Sequence, residues 1–251
     1  MTFTDDGFLW IADRNNSRLQ KFDLDGNFIT KVTNAMGANL NQPMSITTDE
    51  NGYMYVASRH NHRIQKYDHN GTYIATFGIG TAGAANGQLN EPTTVLVDPS
   101  NGDVYTYEIF NRRISVFSAT GTFLRNFSVE LPGVAGHRSF SMIWDEGNIT
   151  LAIQSAANNK IQTVTKTGTL ISVFNGNGFG QTQLSPTLSY GAVDPLVIGG
   201  KVYVSDSRGS RFVAFNALTG EYETESHYGS RFFATALATD MVGDVYVLNQ
   251  E

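Results

Sequence analysis

Residues 56–78 read VASRHNHRIQKYDHNGTYIATFG, and residues 11–32 read IADRNNSRLQKFDLDGNFITKV. Laid one on the other, both run from a β-rich stretch to an Asn two positions before an Arg. Both then continue through an aliphatic-Gln-Lys-aromatic run into a turn with glycine. Five segments align on that basic residue: NSRLQKF at Arg18, NHRIQKY at Arg63, NRRISVF at Arg113, NNKIQTV at Lys160 and GSRFVAF at Arg211. A glycine follows eight residues later in the first four (Gly26, Gly71, Gly121, Gly168) and nine later in the fifth, at Gly220. An acidic turn precedes each unit, at Asp5, Asp49, Asp98, Asp145, Asp194 and Asp240, so successive spacings are 44, 49, 47, 49 and 46 residues. A period of this length, with about four strands per unit, predicts propeller blades.

Each unit reads as strand a (SITTD, TVLVD, SMIWD, ALATD), a short acidic or Gly turn, and strand b (LWIAD, MYVAS, VYTYE, TLAIQ, VYVSD). The b–c loop places Asn16, Asn61, Asn111, Asn158 or Gly209 just before the basic residue. These types tolerate positive φ, which predicts a tight turn with a left-handed residue. Strand c alternates apolar and polar residues, and the c–d turn sets glycine before an aromatic or leucine. No stretch holds a helical period, so the chain reads as all-β.

The run from Asp49 to Gly78 resembles the NHL repeat, D-x-x-G-x-x-Y-V-A-D-x-x-N-x-R-I-Q-x-F-x-x-x-G-x-F-x-x-x-F-G, and NGQLNEPTTVLVD (86–98) resembles that family's Gly-Gln-Leu-x-x-Pro lead-in. The resemblance covers essentially the whole chain and implies a β-propeller, usually of six blades. WD and kelch repeats fit worse, because neither Gly-His…Trp-Asp nor a Gly-Gly pair recurs in each unit. Residues 1–251 are expected to form one propeller domain, with blade units at about 1–33, 44–78, 93–128, 140–175, 191–226 and 234–251. The last unit supplies only strands a and b, ending in DVYVLNQE. A closed five-bladed ring with a spare hairpin is the alternative.

Composition narrows the partners. At 41% hydrophobic and 16% charged residues the chain reads as an ordinary folded domain. No apolar run is long enough to span a bilayer, and MTFTDDGFLW has no basic n-region or apolar h-region, so neither membrane insertion nor a signal peptide is read from it. The compartment is not read at all. With no cysteine there is no disulfide, zinc-thiolate site or thiol nucleophile. A net charge of −6 argues against a general nucleic-acid binder.

Repetition separates scaffold from site. Arg18, Arg63, Arg113, Lys160 and Arg211 recur and are assigned to structure, with Asp13, Glu108 and Asp206 as partners. The non-recurrent residues Arg14, Arg59, His60, His62, Phe110, Arg112 and Arg208 of the b–c turns are candidates for ligand contact. So are His137, Arg138 and Arg231 of the variable d–a loops. Basic residues gather at the b–c turns and acidic ones at the a–b and c–d turns, which predicts two ends of opposite potential. His60-x-His62 lacks a third ligand and lies between Arg59 and Arg63, so neither a metal nor any other cofactor is expected.

The reading that follows is a non-catalytic scaffold engaging a protein, peptide or glycan ligand through the b–c and d–a loops. Alternatives are an RNA-binding propeller using a basic face, and a propeller hydrolase or lyase. Peptide-amidating lyases resemble this fold but place zinc-binding histidines at the start of strand a, where this chain has Met44, Thr93 and Phe140. The unfinished last blade is also expected to accept a strand from another segment or copy.

Overall fold

Among the described residues, five stretches of four short strands fold as five antiparallel sheets, each in simple chain order, and two further sheets have two strands each. The structure is a computed structural model and describes residues 1–35, 38–129, 138–145, 147–154, 160–175, 195–206, 211–216, 219, 221–227, 234–239 and 245–249. Two compact units divide the chain, Met1–Ser128 with Thr239–Gly243, and Val129–Ala238 with Asp244–Glu251.

The first unit holds three four-stranded sheets. Their strands a to d are Thr2–Phe3, Leu9–Asp13, Arg18–Phe22 and Phe28–Val32 in the first sheet. In the second they are Pro43–Thr48, Met54–Ser58, Arg63–Tyr67 and Tyr73–Phe77. In the third they are Pro92–Val97, Val104–Glu108, Arg113–Phe117 and Phe123–Ser128. Met54–Ser58 and Val104–Glu108 are buried at every residue. A strand covered on both faces needs a continuous run of β-formers rather than alternation, and MYVAS and VYTYE have that character.

Stacking explains this burial. Trp10, Ala12, Leu19 and Val32 of the first sheet pack with Met54, Val56, Tyr67 and Tyr73 of the second. Tyr55, Ala57, Ile64 and Phe77, on the other face of the second sheet, pack with Val95, Val104, Phe117 and Phe123 of the third. Phe77 and Phe117 meet edge to face with centroids 6.3 Å apart, a favoured arrangement of ring quadrupoles. The equivalent face of the first sheet is less covered. Tyr67 and Phe117 are fully buried, whereas Phe22 at the same position is half-buried, and its ring partner Phe28 is 53% exposed.

Turn chemistry accounts for the recurring acids and glycines. In the second sheet's c–d turn the Asp68 carboxylate accepts from the N–H groups of Asn70 (2.9 Å) and Thr72 (2.7 Å), and Gly71 takes φ +86°. Ser118 and Thr165 hydroxyls do the same service for Thr122 and Thr169 in later turns. In the a–b turn Asp49 accepts from the N–H groups of Asn51 and Tyr53 and from the Tyr55 hydroxyl, all at 3.0 Å. These acids are largely occupied by the backbone beside them.

In the second unit Arg138–Asp145, Asn148–Gln154, Lys160–Val164 and Leu170–Asn175 form one four-stranded sheet. Pro195–Ile198, Lys201–Asp206, Arg211–Asn216 and Tyr222–His227 form another. Ile149, Leu151 and Val164 are fully buried in the first of these, and Val202, Val204 and Val213 in the second. Ala234–Thr239 and Val245–Asn249 make one two-stranded sheet, and Asn34–Ala35 with Ala38–Asn39 make the other. Strand a of the second, third and fourth sheets carries a bulge after its first or second residue, at Pro43/Ser45, Pro92/Thr94 and Ser139/Ser141. The bulged residues are therefore Met44, Thr93 and Phe140.

Candidate functional site

The b–c turns of the first unit are built alike. Ser17, His62 and Arg112 take φ of 52°, 52° and 51°, so the left-handed residue follows the recurrent Asn and precedes the recurrent Arg. That residue reverses the chain and brings the end of strand b opposite the start of strand c. Asp13 pairs with Arg18, Ser58 with Arg63 and Glu108 with Arg113 across the ladder.

Two of these pairs are ion pairs. Arg18 Nε donates to Asp13 Oδ2 at 2.7 Å, and Asn16 donates to both Asp13 oxygens at 3.0 Å. Burial acts to raise the Asp13 carboxyl pKa, but the bonds from Arg18 and Asn16 outweigh it and hold it below the ordinary range. Glu108 is more enclosed, with no exposed side-chain surface. Its carboxylate accepts from Arg113 Nε at 2.7 Å, Ser115 Oγ at 2.6 Å, Asn90 N–H at 2.8 Å and Asn111 Nδ2. Arg113 then reaches the carbonyls of Ala84 (2.8 Å) and Gln88 (3.2 Å), tying down the preceding loop.

The second sheet breaks the pattern. Ser58 replaces the acid, and its hydroxyl accepts from Asn61 at 2.9 Å and from the Asn41 N–H at 3.1 Å. Among the described residues Arg63 keeps only a long 3.4 Å contact to the Asn39 carbonyl, and its buried Nε finds no partner. Arg63 is structural by position but not by bonding. Arg63→Met should therefore change stability by less than about 1 kcal/mol, while Arg113→Met should cost about 3–5 kcal/mol by stranding buried Glu108. Urea unfolding of both variants checks this, and equal losses would remove the distinction.

The chain entering each sheet locks onto the preceding turn. Gln42 and Glu91, each just before a proline, take φ of 49° and 50°. Gln42 N–H donates to Ser17 Oγ at 3.3 Å, and Glu91 N–H to His62 Nδ1 at 3.2 Å. Their carbonyls accept from the N–H groups of Arg59 and Ile109, both at 3.2 Å.

The non-recurrent residues gather at this junction. Arg59 contacts Glu91 Oε2 through Nε at 2.7 Å and Nη2 at 2.5 Å. His60 Nε2 lies 3.9 Å from the other Glu91 oxygen. The two histidines thus meet Glu91 at different atoms rather than converging as a chelate. Burial lowers the His62 pKa, which suits a ring nitrogen that accepts a hydrogen bond. Partial desolvation, then the neighbouring Arg59 charge, lowers the Arg14 pKa, against an opposing pull from Glu91. Phe110 is 59% exposed, and Arg112 is exposed on the same turn.

Arg138 begins a strand, and Lys160 and Arg211 pair across their ladders with Ile153 and Asp206. His137, Arg208 and Arg231 lie outside the described residues. At the opposite end of the first unit's sheets the acids are accompanied by cations. Lys21 lies 3.4 Å from Asp6, and Lys66 lies 3.6 Å from Asp49 and 2.6 Å from the Tyr55 hydroxyl. The separation of charge between ends is accordingly softer than the sequence suggests. Glu91 and Gln42 were missed in the sequence, where N-[QE]-P read only as a lead-in.

The NHL repeat family model matches residues 1–22. A chain of the nidogen/laminin complex is similar at a TM-score of 0.65 and 16% identity, over 90% of this chain and 78% of that one. The fold is a β-propeller. A protein of unknown function from Bacteroides caccae matches this propeller at a TM-score of 0.70 and 14% identity, over 96% of this chain and 82% of that one. A catalytically inactive virginiamycin B lyase from Staphylococcus aureus, solved with quinupristin, matches it at 0.65 and 17%, over 98% and 75%. No curated protein matches the sequence. At these identities the structural likenesses define the fold and leave the activity of this propeller to its own residues.

Proposed function

We propose that the protein is a non-catalytic binding scaffold that engages a protein, peptide or glycan ligand at the end of its sheets carrying the b–c turns and d–a loops. One observation carries this reading. In the first unit the recurrent Arg18 and Arg113 are bound within the scaffold, while the non-recurrent Arg14, Phe110 and Arg112 stay exposed beside them. Exposed Arg and aromatic residues on loops held by a rigid sheet are the mixture that binding surfaces favour.

A lyase reading has the neighbours in its favour and the residues against it. A bulge re-aims the side chain it carries, which suits an active site, but Met44, Thr93 and Phe140 offer no zinc-binding imidazole and no acid or base that titrates near neutral pH. RNA is disfavoured because Arg59 and Arg113 are each neutralised by a carboxylate, which leaves fewer charges for phosphates. We also take 1–251 as one propeller domain of six blades, the last contributing Ala234–Thr239 and Val245–Asn249 as strands a and b. Among the described residues no third strand pairs with these two, which suits strand addition from another segment or copy.

Peptide and glycan arrays probed with the labelled domain test the binding reading. The double variant His60→Ala/Phe110→Ala should lose most of the captured signal. Its Tm should stay within about 2 °C, because exposed substitutions rarely cost more than about 0.5 kcal/mol. Unchanged capture by the folded variant would reject this surface. Arg59 is a poor probe, since its removal would also strand Glu91.

A further inference from the structure

We propose that Arg14, with the Gln42 amide and Arg59 at the same junction, forms a carboxylate-binding site for an acidic residue of a peptide ligand. The inference rests on the binding reading above and names the chemistry of its partner. It comes from a construction that, among the described residues, the chain makes twice and completes once.

The first residue of a b–c turn and the residue before the next sheet's proline form a pair. In the second and third sheets this pair is Arg59 and Glu91, joined at 2.5 and 2.7 Å. In the first and second sheets it is Arg14 and Gln42. The backbone is the same at both junctions. Gln42 and Glu91 share φ near 50°, and each donates its N–H to the fourth residue of the preceding turn, Ser17 or His62. The side chains therefore start from equivalent points, but the carboxylate has become an amide.

The amide does not complete the contact. Gln42 Oε1 is buried without a hydrogen bond, and among the described residues the Arg14 side chain makes no hydrogen bond or ion pair. Arg14 feels Arg59 as a like charge and Glu91 as an opposite one. Glu91 is already engaged by Arg59, and His60 stands 3.9 Å from its second oxygen. Two guanidinium groups and one carboxylate leave one positive charge, and a ligand carboxylate would give Arg14 what Glu91 gives Arg59. Ile79 and Phe110, at the same end of the sheets, are 65% and 59% exposed. An exposed aliphatic and an exposed aromatic side chain at that end suit the side chains of a peptide better than the ring face of a sugar.

The test is an array of acetylated hexapeptides that place Asp or Glu beside Leu or Phe, each printed with its Asn or Gln counterpart. The best acidic peptide is then titrated by calorimetry into wild type, Arg14→Gln and Gln42→Glu. Wild type should prefer the acidic peptide by at least about tenfold, the usual worth of a charge-assisted contact. Gln42→Glu supplies the missing carboxylate from within, so it should abolish the preference while the Tm holds or rises. Arg14→Gln should abolish it as well. Equal binding of acidic and amide peptides, or a preference that survives Gln42→Glu, overturns the proposal. If no peptide binds but glycan capture is lost in His60→Ala/Phe110→Ala, the acidic-peptide inference fails and the binding surface stands.

Discussion

Glu108→Ala should lower the stability of the first unit by about 3–5 kcal/mol, the range for breaking a buried ion pair from one side. For a protein of this size that is a fall in Tm of about 10 °C. The cost comes from what remains behind. Arg113 is 12% exposed and would keep its charge, while Ser115, Asn111 and the Asn90 N–H would each lose an acceptor. Asp13→Ala removes the same element from the first sheet, where the carboxylate is 19% exposed and Arg18 29%. Water can replace part of that contact, so the loss there should be about 1 kcal/mol. Calorimetric melting of both variants decides the point, and equal losses would mean that enclosure does not set the value of the pair.

Gly71→Ala should be the most damaging glycine substitution among the described turns. At φ +86° an added Cβ would overlap Val32 Cγ2 and lie 3.2 Å from the ring of Trp10. The left-handed conformation costs an L-residue about 1–2 kcal/mol, and overpacking a rigid core adds about 1–3 kcal/mol. Val32 has little freedom to yield, because it is β-branched and packed against the same cluster. Gly26 sits at the same place in the first sheet's c–d turn with φ +83° and nothing within 4 Å. Gly26→Ala should carry only the conformational part. The difference between the two, measured by urea unfolding, isolates the packing term, and identical losses would show that the core adjusts freely.

These two comparisons indicate what the sequence could and could not disclose. A turn's needs are local, so they recur wherever the turn recurs. The Asn before Arg18, Arg63 and Arg113, the glycine eight residues later and the acid at the head of each turn were all readable for that reason. The partner of Arg59 was not readable, because Glu91 lies 32 residues away in the next sheet and resembles an unremarkable lead-in. Arg63 shows the opposite limit. Alignment makes it equal to Arg18 and Arg113, yet Ser58 leaves its buried Nε without the carboxylate that the others have. Repetition identifies positions, and only contact identifies roles.

The thinner cover over Phe22 and Phe28 sets the order in which the first unit comes apart. In an array of stacked sheets each member draws its resistance to opening from its own strands and from the neighbours it touches. The second sheet packs on both faces against described neighbours, whereas in the first, among the described residues, Phe22 and Phe28 are only partly covered. Strand Phe28–Val32, exposed at its first four residues, is then the segment that detaches and re-forms most often without disturbing the rest. Its amide hydrogens exchange through that partial opening, while those of Met54–Ser58 must wait for the whole unit to unfold. The repeat is uniform in sequence and graded in its hold on the chain.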